Sequence, residues 1–279
     1  MPVFLAGAIA WSEDIFKPLY FGIALVAAAA VQVGLTMFND TLDFVYGTDR
    51  KKMDAKNPFS GGSGVLTSGI IRPKQAFTAV FLLYLFALLG TLYLAFQVNI
   101  AVLWIAFLGA IISIFYSVKP LRFAYHGIGE LMMFIGYGPV LTAWAYLIHS
   151  AQLSSNILLV GAIPGLLMWT MILINEIPDY EEDRAGGKKN IAYRLGPKNT
   201  KNLFIASLVV LYIYILGLLL AGVLPTAGAL AFAGIPLAVK AARVANRFYL
   251  DPLKVATANR FMVYIYSVTT AAVTIGFLI

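Results

Sequence analysis

Apolar residues along this chain gather in runs too long for strands or for the core helices of a soluble domain. Runs of about twenty lie near 16–38, 76–97, 99–118, 126–149, 156–177, 203–223 and 260–279. Crossing a bilayer takes about 20 such residues in a helix, so each run predicts a transmembrane helix. A shorter run, 225–240, carries Pro225 and Pro236, which neighbouring helices can accommodate in a bundle. Residues 2–11 read as the tail of a further span. The pattern predicts an all-α, polytopic membrane bundle forming one integral-membrane domain over 1–279. It has eight full or nearly full helices plus a fragment, nine in a complete protein. A membrane β-barrel does not fit, because its strands need only about 9–11 residues. Met1 to Trp11 lacks the basic start and the apolar length of a signal peptide.

Composition narrows the class. The 279 residues are 61% hydrophobic and 12% charged, with mean hydropathy +0.84, whereas soluble domains are about 45–50% apolar and about 25% charged. Too few charges remain to cover a water-facing surface, which excludes soluble enzyme classes. The formal charge of +7 does not imply a nucleic-acid partner, because cationic loops of a membrane protein report topology. With no cysteine, disulfides, iron–sulfur clusters and thiolate zinc sites are excluded.

Alternating the spans across the membrane puts connections 39–75, 119–125, 178–202 and 241–259 on one side. Counting the flanking Lys240 and Arg260, these hold every Lys and Arg except Lys17. The positive-inside rule makes that side cytoplasmic, which predicts a multi-pass cell-membrane protein with its active loops facing the cytoplasm. All acids but Glu13 and Asp14 fall on the same face. A channel or alternating-access transporter would place polar groups along a path through the bundle instead.

Two stretches on that face match. Asn39-Asp40-Thr41-Leu42-Asp43 and Asn175-Glu176-Ile177-Pro178-Asp179 both read N-[D/E]-x-x-D, at the ends of spans in parallel orientation. The chain therefore reads as a duplicated four-helix unit. Asn39 and Asp43 share a helix face at i, i+4, and Asn175, Asp179 and Asp183 extend such a stripe to i+8 if the helix continues past Pro178. Asp49 follows in the first half. Carboxylates at apolar helix ends need a positive partner. An all-oxygen donor set suits Mg²⁺, which completes its shell with water and substrate phosphate. Glu181 and Glu182 read as solvated loop charges.

Small and basic residues fill the loops between: Lys188 and Lys189 after Gly186-Gly187, Arg184, Arg50 and Arg72, the run Asn57 to Gly64, and then Tyr116, Lys119, Arg122, Tyr125 and His126. Glycines let backbone N–H groups approach an anion, and Lys or Arg neutralises phosphate that metal leaves uncovered. Together with the carboxylates they predict a diphosphate at the cytoplasmic mouth.

These features resemble the UbiA superfamily of intramembrane prenyltransferases: Asn39 to Asp43, Asn175 to Asp183 with Arg184-Ala185-Gly186-Gly187-Lys188-Lys189 after it, and the helical repeat. The resemblance implies nine transmembrane helices. It also implies an isoprenyl diphosphate held by Mg²⁺ on the two Asp-rich motifs, its prenyl group passing to an acceptor. By motif position it assigns metal binding to Asp40, Asp43, Asp179 and Asp183, with Asn39 and Asn175 in support. Many members carry an acid where this chain has Gly47. The order Asp43, Gly47, Asp49 is similar instead to the 1,4-dihydroxy-2-naphthoate branch of menaquinone synthesis, which adds Asp49 to the metal set. Tyr125-His126-Gly127-Ile128-Gly129-Glu130 and Gly136-Tyr137-Gly138-Pro139 resemble that branch too, and Tyr116-Ser117-Val118-Lys119-Pro120 matches more loosely.

The chemistry fits these residues. Arg50, Arg72, Lys119, Arg122, Lys188 and Lys189, with Asn39 and Asn175, are the candidate diphosphate ligands, stabilising charge on the leaving group with Mg²⁺. Tyr116 and Tyr137 are candidates to face the allylic cation in a dry pocket. Glu130 is the candidate base or acceptor ligand, with His126 as an alternative. Lys119 and Tyr116 join Glu130 as catalytic candidates. His149 lies at the opposite face without a role. The acceptor stays open between a naphthoate, 4-hydroxybenzoate, a haem and geranylgeranylglyceryl phosphate. A cation transporter is the reading from another class, but it predicts acids at mid-membrane or on both faces.

Overall fold

Residues 1–47, 64–150 and 152–279 are described by the computed structural model, and they are helical wherever they are regular. In chain order the elements are α1 (Pro2–Ser12), α2 (Pro18–Tyr46), α3 (Pro73–Gln97) and α4 (Ala101–Ser117). Next come α5 (Gly129–Ser150), α6 (Ser155–Glu176) and the short α7 (Tyr180–Ala185). The last are α8 (Ile191–Leu220), α9 (Thr226–Phe248) and α10 (Pro252–Gly276). Six of these, α2, α3, α5, α6, α8 and α9, are long and apolar enough to cross a membrane among the described residues, while α1 and α4 are shorter apolar helices. The last apolar run lies in α10, which is diluted by Asn259, Arg260 and four threonines.

Local chemistry sets the helix ends. Prolines at the first turn open α2, α3 and α10, where the missing N–H would lack a partner anyway. Gly47 closes α2 in the left-handed conformation, at φ 84°, which glycine adopts without Cβ strain. Residues 226–234 form 3₁₀ turns before α9 becomes regular at Ile235. A kink at Gly196-Pro197 separates the first turn of α8 from its apolar span.

Packing divides the helices into central and peripheral ones. α6 is central: 56% of its apolar window is buried, against 28% for α2 and α3, which pack chiefly on each other. α5 and α6 approach closely where small residues remove bulk. A Cβ at Gly138 would sit 2.6 Å from the Gly165 Cα and 2.7 Å from the Gly161 carbonyl oxygen. Gly161 and Gly165 thus make a small-xxx-small stripe of the kind that joins membrane helices. One turn of α5, Gly136–Val140, widens to a π-helix around Pro139, which has no N–H for the regular ladder.

The two ends of the bundle differ as the charge pattern requires. α5 carries Glu130 in its first turn and finishes beside the first loop, where His149 Nδ1 accepts from the Lys17 backbone N–H at 3.2 Å and the Tyr146 hydroxyl donates to Glu13. Glu13 and Lys17 therefore sit a helix length, about 30 Å, from the end that carries the two acidic motifs.

Candidate active site

The first motif stays on unbroken helix. Asn39 and Asp43 are one turn apart on α2 and face a cavity of about 180 Å³, while Thr41 and Leu42 pack behind them. The second motif breaks. α6 stops at Glu176, a turn follows, and Asp179 becomes the residue preceding α7, with Asp183 within it. Pro178 is the cause, since it lacks an N–H and its ring collides with the carbonyl four residues back. The uninterrupted stripe of Asn175, Asp179 and Asp183 does not form, yet the turn brings all three to the cavity wall.

The cavity thus collects both halves of the repeat. Its wall also includes Tyr116 and Ser117 from α4, Glu130 from α5, Glu176 from α6, and Lys188 and Asn190 from the loop before α8. Lys188 joins the halves: its Nζ lies 3.1 Å from Asp43 Oδ2 and 3.4 Å from Asp183 Oδ1. Desolvation would push its ammonium down, but Asp183 and Asp43 outweigh that and hold its pKa well above the ordinary lysine value. It therefore remains charged at neutral pH. Around this pair, the Tyr125 hydroxyl donates to Asp43 Oδ1 at 3.2 Å and Asn190 Nδ2 donates to Asp183 Oδ2 at 2.9 Å. Ser117 Oγ donates to Asn39 Oδ1, and Asn259 Nδ2 to Asn175 Oδ1, both at 2.9 Å.

Beneath the carboxylates, the N-terminus of α8 is capped from three elements. The Ile191 N–H donates to Glu130 Oε1 at 2.6 Å, Ala192 N–H to Glu176 Oε2 at 3.2 Å, and Tyr193 N–H to Asn190 Oδ1 at 2.9 Å. Three of the four orphan donors of a helix start are satisfied this way, with two carboxylates at its positive end. Glu130 is 2% exposed, and its Oε2 faces no hydrogen-bond partner among the described residues.

Of the residues singled out from sequence, Asn39, Asp43, Tyr116, Glu130, Asn175, Asp179, Asp183 and Lys188 line the cavity. Asp40, Arg72, Lys119, Arg122, Lys189 and Tyr137 do not. Arg72, Lys119 and Lys189 are exposed. Arg122 stacks 3.5 Å from the Tyr125 ring centroid and 4.6 Å from that of Tyr46, so it braces the tyrosine that touches Asp43. His126 is exposed, and its carbonyl accepts from Arg194 Nη2. Asp49, Arg50 and Asn57 to Ser63 lie outside the described residues.

The cavity residues missed as site candidates are Glu176, Ser117 and Asn190, with Tyr125 reaching Asp43 from beside it. Glu176 had a visible signal: it holds the motif position of Asp40. Ser117 and Asn190 carry none, because their partners lie 78 and 7 residues away through folds of the chain.

The donor set fits Mg²⁺. Asp43, Asp179 and Asp183 line one cavity with Asn39 and Asn175, oxygen donors of the kind a hard cation takes, and an ammonium already rests between Asp43 and Asp183, which marks a cation position. Among the described residues no group of three His, Asp or Glu could hold a metal by itself. Diphosphate oxygens and water would complete the shell. The volume is below the roughly 300–1,000 Å³ of small-molecule pockets and suits a diphosphate headgroup.

Comparison with known proteins shows the family of the chain. The model of the UbiA prenyltransferase family matches residues 1–268. A 1,4-dihydroxy-2-naphthoate octaprenyltransferase from Bacillus subtilis is 27% identical over 243 residues, covering 87% of this chain and 76% of the relative. A 2-carboxy-1,4-naphthoquinone phytyltransferase from Synechocystis sp. is 27% identical over 270 residues, covering 93% and 82%. Among solved structures, a UbiA homologue from Archaeoglobus fulgidus bound to DMAPP and Mg²⁺ superposes with a TM-score of 0.64 at 15% identity, covering 96% of this chain and 94% of that one.

Proposed function

The chain belongs to the UbiA prenyltransferase family, and from that premise we infer a Mg²⁺-dependent transfer of an isoprenyl group from a polyprenyl diphosphate to 1,4-dihydroxy-2-naphthoate or a closely similar aromatic acceptor. The carrying observation is the convergence of Asn39, Asp43, Asn175, Asp179 and Asp183 with Lys188 on one cavity at one end of a membrane bundle. The acceptor assignment draws on the naphthoate and naphthoquinone chemistry named for both relatives. Positive-inside asymmetry makes the end with the cavity cytoplasmic.

In this reading Asp43, Asp179 and Asp183, aided by Asn39 and Asn175, would hold Mg²⁺ together with the donor's diphosphate. When bound, Mg²⁺ supplies electrostatic stabilisation of the departing diphosphate. Lys188 adds a second positive charge at the same point. The allylic C–O bond breaks with its electron pair going to the diphosphate, a C–C bond forms at an electron-rich ring carbon, and that carbon loses a proton, or CO₂ where it bears a carboxylate. Tyr116 presents its ring in the cavity wall to the cationic carbon. Glu130 is suited to take a proton from the acceptor: it lines the cavity, the Ile191 N–H fixes one carboxylate oxygen, and the buried Glu176 carboxyl lies beside it. Arg72, Lys119, Arg122 and Lys189 act at longer range, concentrating an anionic donor near the mouth. By motif position we propose Asp40 and Asp49 as further metal ligands and Arg50 as a further diphosphate ligand.

Purified protein with Mg²⁺, geranylgeranyl diphosphate and a panel of acceptors tests the reading. Prenylated naphthoate is the expected product. Prenylation of 4-hydroxybenzoate, haem or geranylgeranylglyceryl phosphate with the naphthoate untouched would reject the acceptor, and activity without divalent metal would reject the site.

A further inference from the structure

Lys188 holds a position that its role as a diphosphate ligand does not explain. It is bound to one carboxylate oxygen from each half of the repeat, Asp43 Oδ2 and Asp183 Oδ1. These are two of the oxygens that the proposed function gives to the metal. The ammonium and a divalent ion cannot share them, because two cations within contact distance repel strongly in a partly desolvated site. The backbone at Lys188 is anchored, its N–H donating to the Asp183 carbonyl at 2.9 Å, but the side chain follows Gly186-Gly187. Gly187 turns the chain at φ +76°, and Lys188 lines the cavity of about 180 Å³, which is the space into which its ammonium can move. Asp43 and Asp183 also keep neutral donors, Tyr125 and Asn190, on their other oxygens, which hold the two carboxylates in place as the lysine leaves.

We propose that Lys188 is the resident counter-cation of the Asp43–Asp183 pair and yields its place to the metal only as the donor arrives, moving its ammonium from the carboxylates to the diphosphate. Resting on the metal-and-diphosphate reading above, this inference adds a coupling to it. Metal alone must displace Lys188 into water, whereas metal with a diphosphate gives it a new anionic partner, so the two bind cooperatively. A site blocked nine-tenths of the time loses about tenfold in apparent affinity.

The test measures metal binding rather than turnover. Mn²⁺, which takes the same hard oxygen ligands, is titrated into detergent-solubilised protein and followed by loss of the free-ion EPR signal. Lys188→Met and Lys188→Gln, the latter keeping a neutral N–H donor, are each expected to bind Mn²⁺ at least about tenfold tighter than wild type when no donor is present. Geranyl S-thiolodiphosphate, which resists transfer, should tighten wild-type Mn²⁺ binding by a similar factor beyond its own complexation in buffer, and should tighten the variants much less. Equal or weaker Mn²⁺ binding by folded Met and Gln variants overturns the proposal. If neither variant folds, the wild-type titration decides: no tightening by the analogue overturns it. Wild type that binds no Mn²⁺ with or without the analogue removes the metal site itself, and the exchange with it. Retained Mg²⁺-dependent transfer with unchanged affinities removes the exchange alone.

Discussion

The same five-residue pattern ends two helices of this protein in two different ways. On α2 the stretch Asn39 to Asp43 remains helical as far as Tyr46. On α6 the matching stretch stops at Glu176, turns at Pro178 and restarts as the six-residue α7. One substitution, Leu42 in the first copy against Pro178 in the second, accounts for the divergence. The rigid copy delivers two donors from a fixed face. The broken copy delivers three, and its turn leads into the loop that brings Lys188 and Asn190 to the same cavity. The motif occurs twice, and the proline turns its second copy into a bend where the first is straight helix.

Removing a donor from either copy should erase function most completely. Asp43→Ala and Asp179→Ala are each expected to lower kcat/KM for prenyl transfer by about 10²–10³ or more, with the protein still monodisperse in detergent. A mutant at wild-type rate would show that its copy of the motif is ornamental. Making the rigid copy resemble the broken one comes next. Leu42→Pro places a proline inside α2 at a buried position and should cost about 3 kcal/mol or more, read as a lowered Tm in detergent; an unchanged Tm would mean that the helical form of the first copy is not required.

The position after each asparagine separates the copies more finely. Glu176 accepts the Ala192 N–H in the cavity wall, whereas Asp40 is absent from that wall. Glu176→Ala leaves that donor unsatisfied and should cost about 1–3 kcal/mol, while Asp40→Ala should cost less than half as much. Chemical denaturation of both variants checks the order, and a reversed order would mean that the copies have exchanged roles. The smallest effect is expected at the turn. Gly187→Ala forces a side chain to φ +76° and should cost about 1 kcal/mol, visible as a small drop in Tm beside a larger loss of donor affinity.

Much of this was legible in the residues alone. Long apolar runs gave the helices, and the one-sided charges placed the acidic ends together. Repetition of the Asn-to-Asp stretch marked most of the donors before any geometry was known. The remainder depends on contacts between distant segments. Nothing in the order of residues ties Ile191 to Glu130, 61 positions away, or Tyr125 to Asp43, 82 positions away. A carboxylate that caps a helix from another element has the same letter as one that binds a cation. Arg122 shows the converse: its charge marked it as a phosphate ligand, while its guanidinium is stacked on two tyrosines. Pro178 was in plain sight, but its effect on the stripe emerged only with the turn it makes.

The small volume of the cavity, about 180 Å³, has a consequence for how this protein meets its donor. In the proposed reaction the cavity takes the head, and the donor reaches it from the bilayer in which its isoprenoid tail dissolves. Encounter is then a two-dimensional search, and its rate follows the donor's mole fraction in the lipid rather than its amount per litre. Diluting the membrane with inert lipid should slow the reaction even when the total quantities of protein and donor stay the same.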